Sequence, residues 1–192
     1  TLDEIQETIS NFGAAAKRAK KAGFDSVEII GSAGYIINQF LAKATNHRTD
    51  EYGGDLESRS RFPIEIVETV KKAVGNKYPI MYRMSGEDFV PDGLTLEDNQ
   101  KLAPRLVDAG VDCFDVTGGW HETRVPQITM DVPRGHYAYL AEGIAEVVDV
   151  PVVASNRINS VSVAEHILKR GKAQLIGMSR GFIADPRLPQ KA

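Results

Sequence analysis

The 192 residues carry a formal net charge of -3 at pH 7, ordinary proportions of apolar and charged residues, and one cysteine, Cys113. The length suits one domain with a sizeable core; the charge argues against nucleic acid or an anionic membrane as partner, and the lone thiol excludes an internal disulfide or a cysteine-only metal site within these residues. No apolar run approaches the roughly 18 residues of a membrane span, and the acidic start "TLDEIQETIS" is unlike a signal peptide, so a cytoplasmic, reducing location is expected.

The chain opens on Thr1 rather than methionine, which suggests a segment of a larger protein. Ile5, Ile9, Phe12, Ala16 and Ala19 have helical spacing between Leu2 and Ala22, and Gly23 closes the run. "FDSVEII" follows as a strand. Asp55 is placed to cap a helix reaching Gly75, with Pro63 in its early turns. "YPIMYRMS" is the next strand, then a helix from Thr95 to Ala109 ended by Gly110. "VDCFDVTGG" is a strand running into glycines, residues 137–148 read as a helix, and "VPVVASN" as a strand. Ser160 to Arg170 is helical up to Gly171, and "AQLIGMS" is the last strand.

Helices and strands therefore alternate, with five strands whose apolar runs are continuous, as in parallel strands covered by helices. Most strands end in Gly, Ser or Asn, which places polar loops at the carboxyl ends where α/β proteins build their sites. A doubly wound sheet and a (β/α)8 barrel both fit. No G-x-G-x-x-G follows a strand, so the dinucleotide fingerprint of the first is missing. Five strands cannot close a barrel of eight, and the expected architecture is the C-terminal part, about five βα units over residues 1–192, of a TIM (β/α)8 barrel. Two open strand edges would favour self-association into a homo-oligomer.

Three features carry chemistry. "VEIIGSAGYIINQFL" begins as a strand, breaks at Gly31 and Gly34, and presents Tyr35 at a strand end; the alternatives are a functional phenol and an aromatic plug over the barrel rim. Arg83 sits inside the strand "IMYRMS", where a guanidinium needs an anion or acceptor, either a ligand or a pair with Glu28 or another acid at the strand ends. His121 follows the glycines of "VTGGWHE". His47, His136 and His166 offer no metal spacing, and no metal is assigned. No lysine stands at a strand end to form a Schiff base, which disfavours a barrel aldolase.

The segments "AAKRAKKAGFDSVEIIGSAGYIINQFL", "TNHRTDEYGGDLESRSRF", "GGWHETRVP", "VPRG", "VVASNRIN" and "GMSRGFIADP" resemble, in order, the Old Yellow Enzyme (NADH:flavin oxidoreductase) family. The closer resemblance is to its branch of 2,4-dienoyl-CoA reductase and clostridial 2-enoate reductases. The resemblance covers essentially the whole chain. It implies an FMN-binding barrel, with a 4Fe-4S cluster, FAD and NAD(P)H as further cofactors of the full-length protein. The implied reaction is reduction of the C=C bond of an α,β-unsaturated acid, thioester or enone, with NAD(P)H as electron donor. An amine-oxidising demethylase of the same family, or an inactive barrel fragment, is the alternative.

The family's usual His-x-x-His or His-x-x-Asn pair, which holds a substrate carbonyl, falls here on Ile30 and Ala33, and neither side chain can donate a hydrogen bond. The dienoyl-CoA branch instead assigns acid work to a tyrosine and a histidine, matched by Tyr35 and His121. A phenol is protonated at neutral pH and can deliver a proton. The resemblance also places Arg83 beside the flavin ring, where positive charge favours the reduced anion. Ser155, Asn156, Arg157, Met178, Ser179 and Arg180, after the last two strands, fall where barrels commonly hold a phosphate, here that of FMN. Arg48, Asp50, Asp55 and Arg59 read as a hydrogen-bonded loop with a structural role.

Overall fold

Helix α1 (Leu2–Lys21) opens on a capping box: Thr1 accepts from the Glu4 N–H and the Glu4 carboxylate reaches back to Thr1. Arg18, Lys20 and Lys21 occupy its last turn, where cations meet the negative end of the helix dipole. In this computed structural model, which describes residues 1–192, strands β1 (Val27–Gly31), β2 (Ile80–Ser85), β3 (Cys113–Thr117), β4 (Val152–Ala154) and β5 (Leu175–Ile176) form one sheet. All neighbours are parallel and lie in the order of the chain. A doubly wound sheet reverses its order at a switch point. Sequential order is instead that of a (β/α)8 barrel, of which these five strands form a part.

Side chains on a strand alternate between faces. The row Ile29–Tyr82–Phe114–Val152, joined by the register, is buried against the helices. The next row, Ile30–Arg83–Asp115–Val153–Leu175, lies on the opposite, concave face, where Ile30 and Leu175 are exposed. The strands are thus two-faced, although their sequences read as continuous apolar runs.

Helices α2 (Ile36–Leu41), α3 (Leu56–Arg59), α4 (Arg61–Val74), α5 (Leu96–Ala109), α6 (Ala138–Ala145), α7 (Val161–Lys169), α8 (Arg180–Ala184) and α9 (Leu188–Lys191) complete the chain. The helix expected from Asp55 to Gly75 is divided at Ser60, with Asp55 capping α3 through the Ser58 N–H. Helix α6 is shorter than the expected 137–148, and β4 and β5 keep only three and two ladder residues. Helix α2 was hidden inside the apolar run after Tyr35; Ile37, Asn38 and Leu41 are its buried face.

The segment between α2 and α4 is held by Arg59, which is only 3% exposed. Its Nε donates to Leu41 O and its Nη1 to Gly54 O, while Arg48 pairs with Asp50. Burial pushes the Arg59 guanidinium below its ordinary range, partly offset by Asp98 and Asp55. Arg59→Leu strands two carbonyls, each worth roughly 1–3 kcal/mol. We expect urea unfolding to show a loss of about 2–5 kcal/mol. Arg59→Lys should not restore it, because one ammonium cannot reproduce the guanidinium fork.

Candidate active site

The loop after β1 makes the turn that the two glycines suggested, with Ala33 also in the left-handed region at φ 60° beside Gly34 at φ 81°. A Cβ on Gly31 would stand 2.0 Å from the Tyr82 hydroxyl, so at this position the phenol replaces a side chain. The Ala33 N–H donates to Ser85 Oγ (3.1 Å) and the Gly34 N–H to Asn38 Oδ1 (2.9 Å). The turn leaves Tyr35 half exposed, with its Oη 3.2 Å from His121 Nε2 and the two rings edge to face. Ile30, Ala33, Tyr35 and His121 line one cavity of about 500 Å³, together with Arg83 and Asn156.

A second cavity, of about 670 Å³, is lined by Ser155, Asn156, Arg157, Met178, Ser179 and Arg180. Arg83, Asn156 and Ile128 border both cavities, so the two adjoin along one rim of the sheet. Every residue singled out for chemistry in the sequence lies on this rim. The structure also shows what some of them already hold. The Ser155 hydroxyl donates to Val116 O (2.7 Å) and ties β4 to β3. Arg157 Nε donates to Val132 O and Arg180 Nη1 to Ile128 O, both 2.8 Å. These carbonyls belong to residues 118–137, which form no helix or strand. Asn156 and Arg157 are consecutive left-handed residues, at φ 68° and 56°. Such strain needs outside support, supplied by Thr117 Oγ1 donating to Asn156 Oδ1 (3.0 Å) and by the Gly135 N–H donating to Arg157 O (2.9 Å).

Arg83 has acid partners and also faces open space. It borders both cavities, and its Nη1 is 3.2 Å from Asp115 Oδ2 and 3.9 Å from Glu28 Oε1. Burial raises the Glu28 carboxyl above its ordinary range; the Asp115 charge adds to this and Arg83 opposes it. Asp115 lines the larger cavity, and its Oδ1 is buried without a partner.

The sequence reading passed over Asp115 and a second acid, Asp88. Asp88 is fully buried behind the rim and accepts from the Leu94 N–H (2.7 Å) and from Asn38 Nδ2 (3.1 and 3.3 Å). Burial raises its carboxyl to about 6 against these donors. In sequence it reads as a polar loop residue of "SGEDFVPDG"; an acid between a strand end and an aromatic residue was the available signal.

With this geometry in hand, likeness to known proteins becomes informative. The profile of the NADH:flavin oxidoreductase / NADH oxidase family matches residues 1–192. The chain belongs to that family. A metal reductase of Desulforamulus reducens is 55% identical over 192 residues, which are 100% of this chain and 29% of that protein. A 2-naphthoyl-CoA reductase structure superposes with a TM-score of 0.96 at 37% identity, covering 100% of this chain and 29% of that one. A histamine dehydrogenase from Rhizobium sp. 4-9 does so with a TM-score of 0.88 at 36% identity, covering 100% and 28%. The chain therefore spans less than a third of the length of these relatives.

A flavin mononucleotide suits the wall as built. Arg157 and Arg180 each keep N–H donors beyond the one given to a carbonyl, enough to receive a phosphate. The larger cavity falls within the roughly 300–1,000 Å³ of ligand pockets, and Asp115, with its unpartnered Oδ1, is among its lining residues.

Two measurements test this geometry. Arg157→Ala or Arg180→Ala releases a carbonyl of the 118–137 segment, and amide exchange over residues 128–135 should quicken by about tenfold, as expected for losing one charge-assisted bond. The raised Asp88 carboxyl means that the native state binds the proton more tightly than the unfolded chain does. Its contribution to stability is complete below about pH 4 and is lost as pH rises to about 6, by on the order of 3 kcal/mol. Urea unfolding of wild type and Asp88→Asn across that range isolates the slope.

Proposed function

We propose that this chain forms part of an FMN-dependent ene-reductase that reduces the C=C bond of an α,β-unsaturated acid, thioester or enone. The observation that carries the reading is the 3.2 Å contact between Tyr35 Oη and His121 Nε2, in a cavity adjoining the arginine-lined one. Saturating a polarised C=C bond requires a hydride at one carbon and a proton at the other. When bound, FMN supplies the hydride, having taken it from NAD(P)H. Arg157, Arg180, Ser179 and the backbone around Asn156 would hold its phosphate, and Arg83 would face its ring. Tyr35 holds the proton at Oη and gives it up as the new C–H bond forms. His121, with Nε2 protonated, donates to the same oxygen and replaces that proton, which it regains from solvent.

Ile30 and Ala33 line this cavity and cannot polarise a carbonyl by hydrogen bonding. That places the demand for activation on the substrate, and a thioester suits it better than a carboxylate. The naphthoyl-CoA reductase supports the same class. Cys113 is the one thiol of the chain, so ligands for a 4Fe-4S cluster would come from outside residues 1–192. The histamine dehydrogenase favours amine oxidation as a second reading. Reducing a metal ion, as the Desulforamulus protein's name states, needs electrons and no positioned acid, and would leave the Tyr35–His121 contact without a role.

Tyr35→Phe keeps the ring and removes the proton. In the FMN-loaded enzyme that carries this chain, stopped-flow kinetics should show substrate reduction slowed by about 10²- to 10⁴-fold, with flavin reduction by NAD(P)H nearly unchanged. Equal rates of substrate reduction would end the acid assignment, and turnover of an amine in place of an enoyl thioester would favour the second reading.

A further inference from the structure

Tyr35 and His121 come from different loops, 86 residues apart in the chain, and both side chains stand at an exposed rim. Neither ring is packed firmly enough there to explain its place. The ordering contacts lie one layer below. Asn38, fully buried on α2, accepts at Oδ1 from the Gly34 N–H next to Tyr35 and donates from Nδ2 to the Asp88 carboxylate. Asp88 O accepts from the N–H of Trp120 (3.1 Å), the residue before His121, and the neighbouring Glu87 O accepts from Gly119 (2.7 Å). The loop that carries Asp88 is closed upon itself, since the Asp88 N–H donates to Leu94 O (2.9 Å) while the Leu94 N–H returns to Asp88 Oδ2. The Trp120 ring lies against Gly34, where a Cβ would stand 3.2 Å from it.

From this we infer that Asp88 is a positioning residue, holding the Tyr35 turn through Asn38 and the His121 turn through its own main chain, so that the two rings meet. The direction of the relay requires a carboxylate. The Gly34 N–H needs the amide oxygen of Asn38, which turns the Asn38 NH₂ toward residue 88, while the Leu94 N–H approaches the same group from the other side. The Asn38 NH₂ spans both oxygens of residue 88 and the Leu94 N–H reaches Oδ2, so each oxygen faces a donor. An asparagine there has one acceptor and sets its own NH₂ against a donor in either orientation. The defect has two ways to relax: the Asn38 amide turns over and abandons Gly34, or the 86–94 loop shifts and carries the Trp120 anchor with it. Either one moves Tyr35 relative to His121. Asp98 is the other charge that bears on this carboxylate, and it acts from α5 without a hydrogen bond to it.

The kinetic part of this inference rests on the acid reading of Tyr35; the geometric part does not. The test uses the FMN-loaded enzyme carrying Asp88→Asn, with Asn38→Leu breaking the same relay at its second link should the first variant fold poorly. Either change should slow substrate reduction by about 10- to 100-fold, the usual cost of misplacing a reacting group by about an ångström, and should leave flavin reduction by NAD(P)H unchanged. In a Tyr35→Phe background the same change should cost nothing further, because the group it positions is gone. The ¹⁵N resonance of His121 Nε2 should move in both variants as its phenol partner is displaced. An equal slowing with and without the Tyr35 hydroxyl, or a His121 resonance that stays in place, overturns the inference and leaves Asp88 a packing residue. If Tyr35→Phe alone proves harmless, the acid reading falls, and the His121 resonance then decides the positioning role by itself: displaced supports it, unmoved overturns it.

Discussion

The parallel, sequential register of the five strands governs the rest of this molecule. Because each strand lies beside its neighbour in the chain and points the same way, all the loops that follow strands emerge at one rim. Residues far apart in sequence, from Tyr35 to Arg180, meet there without any long excursion of the backbone. The same register aligns Ile30, Arg83, Asp115 and Val153 across the concave face. The guanidinium is therefore placed beside a carboxylate by strand pairing, before any ligand is considered.

That pairing alters the electrostatic picture implied by resemblance alone. Arg83 is not a bare cation awaiting an anionic ring; it stands between Asp115 and, at longer range, Glu28. Burial in this wall is the main reason the Glu28 carboxyl is raised, with the neighbouring Asp115 charge adding to it and Arg83 opposing it. The free positive charge of the rim lies farther along, at Arg157 and Arg180, whose hydrogen bonds in this structure go to neutral carbonyls. The larger cavity thus mixes Arg157 and Arg180 with Asp115 and Asp185, while Arg83 is the one Arg, Lys, Asp or Glu lining the Tyr35 cavity.

What could be read from sequence divides along physical lines. Strands, most helices and the glycine turn before Tyr35 were legible because they depend on local spacing and on φ. Tyr35, Arg83 and His121 stand out as polar or reactive side chains in or just after strands, while the roles expected of them and of Asn156, Arg157 and Arg180 come from the family resemblance. Carbonyl partners were not legible: nothing in "DVPRG" or "PQITM" announces that Val132 O and Ile128 O will receive the arginines, since every residue has a carbonyl. Asp88 and Asn38 escaped for a related reason. Each is an ordinary loop or helix residue until the fold buries it, and their role exists only as a relation between three loops. The two faces of the strands were concealed because Val153, Leu175 and Ile30 on the concave side are as apolar as the residues packed against the helices.

The contact between Gly31 and Tyr82 constrains how this sequence can change over time. The phenol occupies the volume a side chain at position 31 would need, with Gly31 at the end of β1 and Tyr82 inside the neighbouring β2. Substitution at 31 is open only to lineages in which residue 82 has already given up its ring, since the ring carbon Cζ alone would stand 2.3 Å from the new Cβ. Loss of the ring first leaves a void in a closely packed core. Each single step is penalised while the pair of steps need not be, so the two positions should drift together or not at all. The floor beneath the Tyr35 turn is in that sense a historical lock on the sequence, set by steric exclusion between two residues that carry no chemistry of their own.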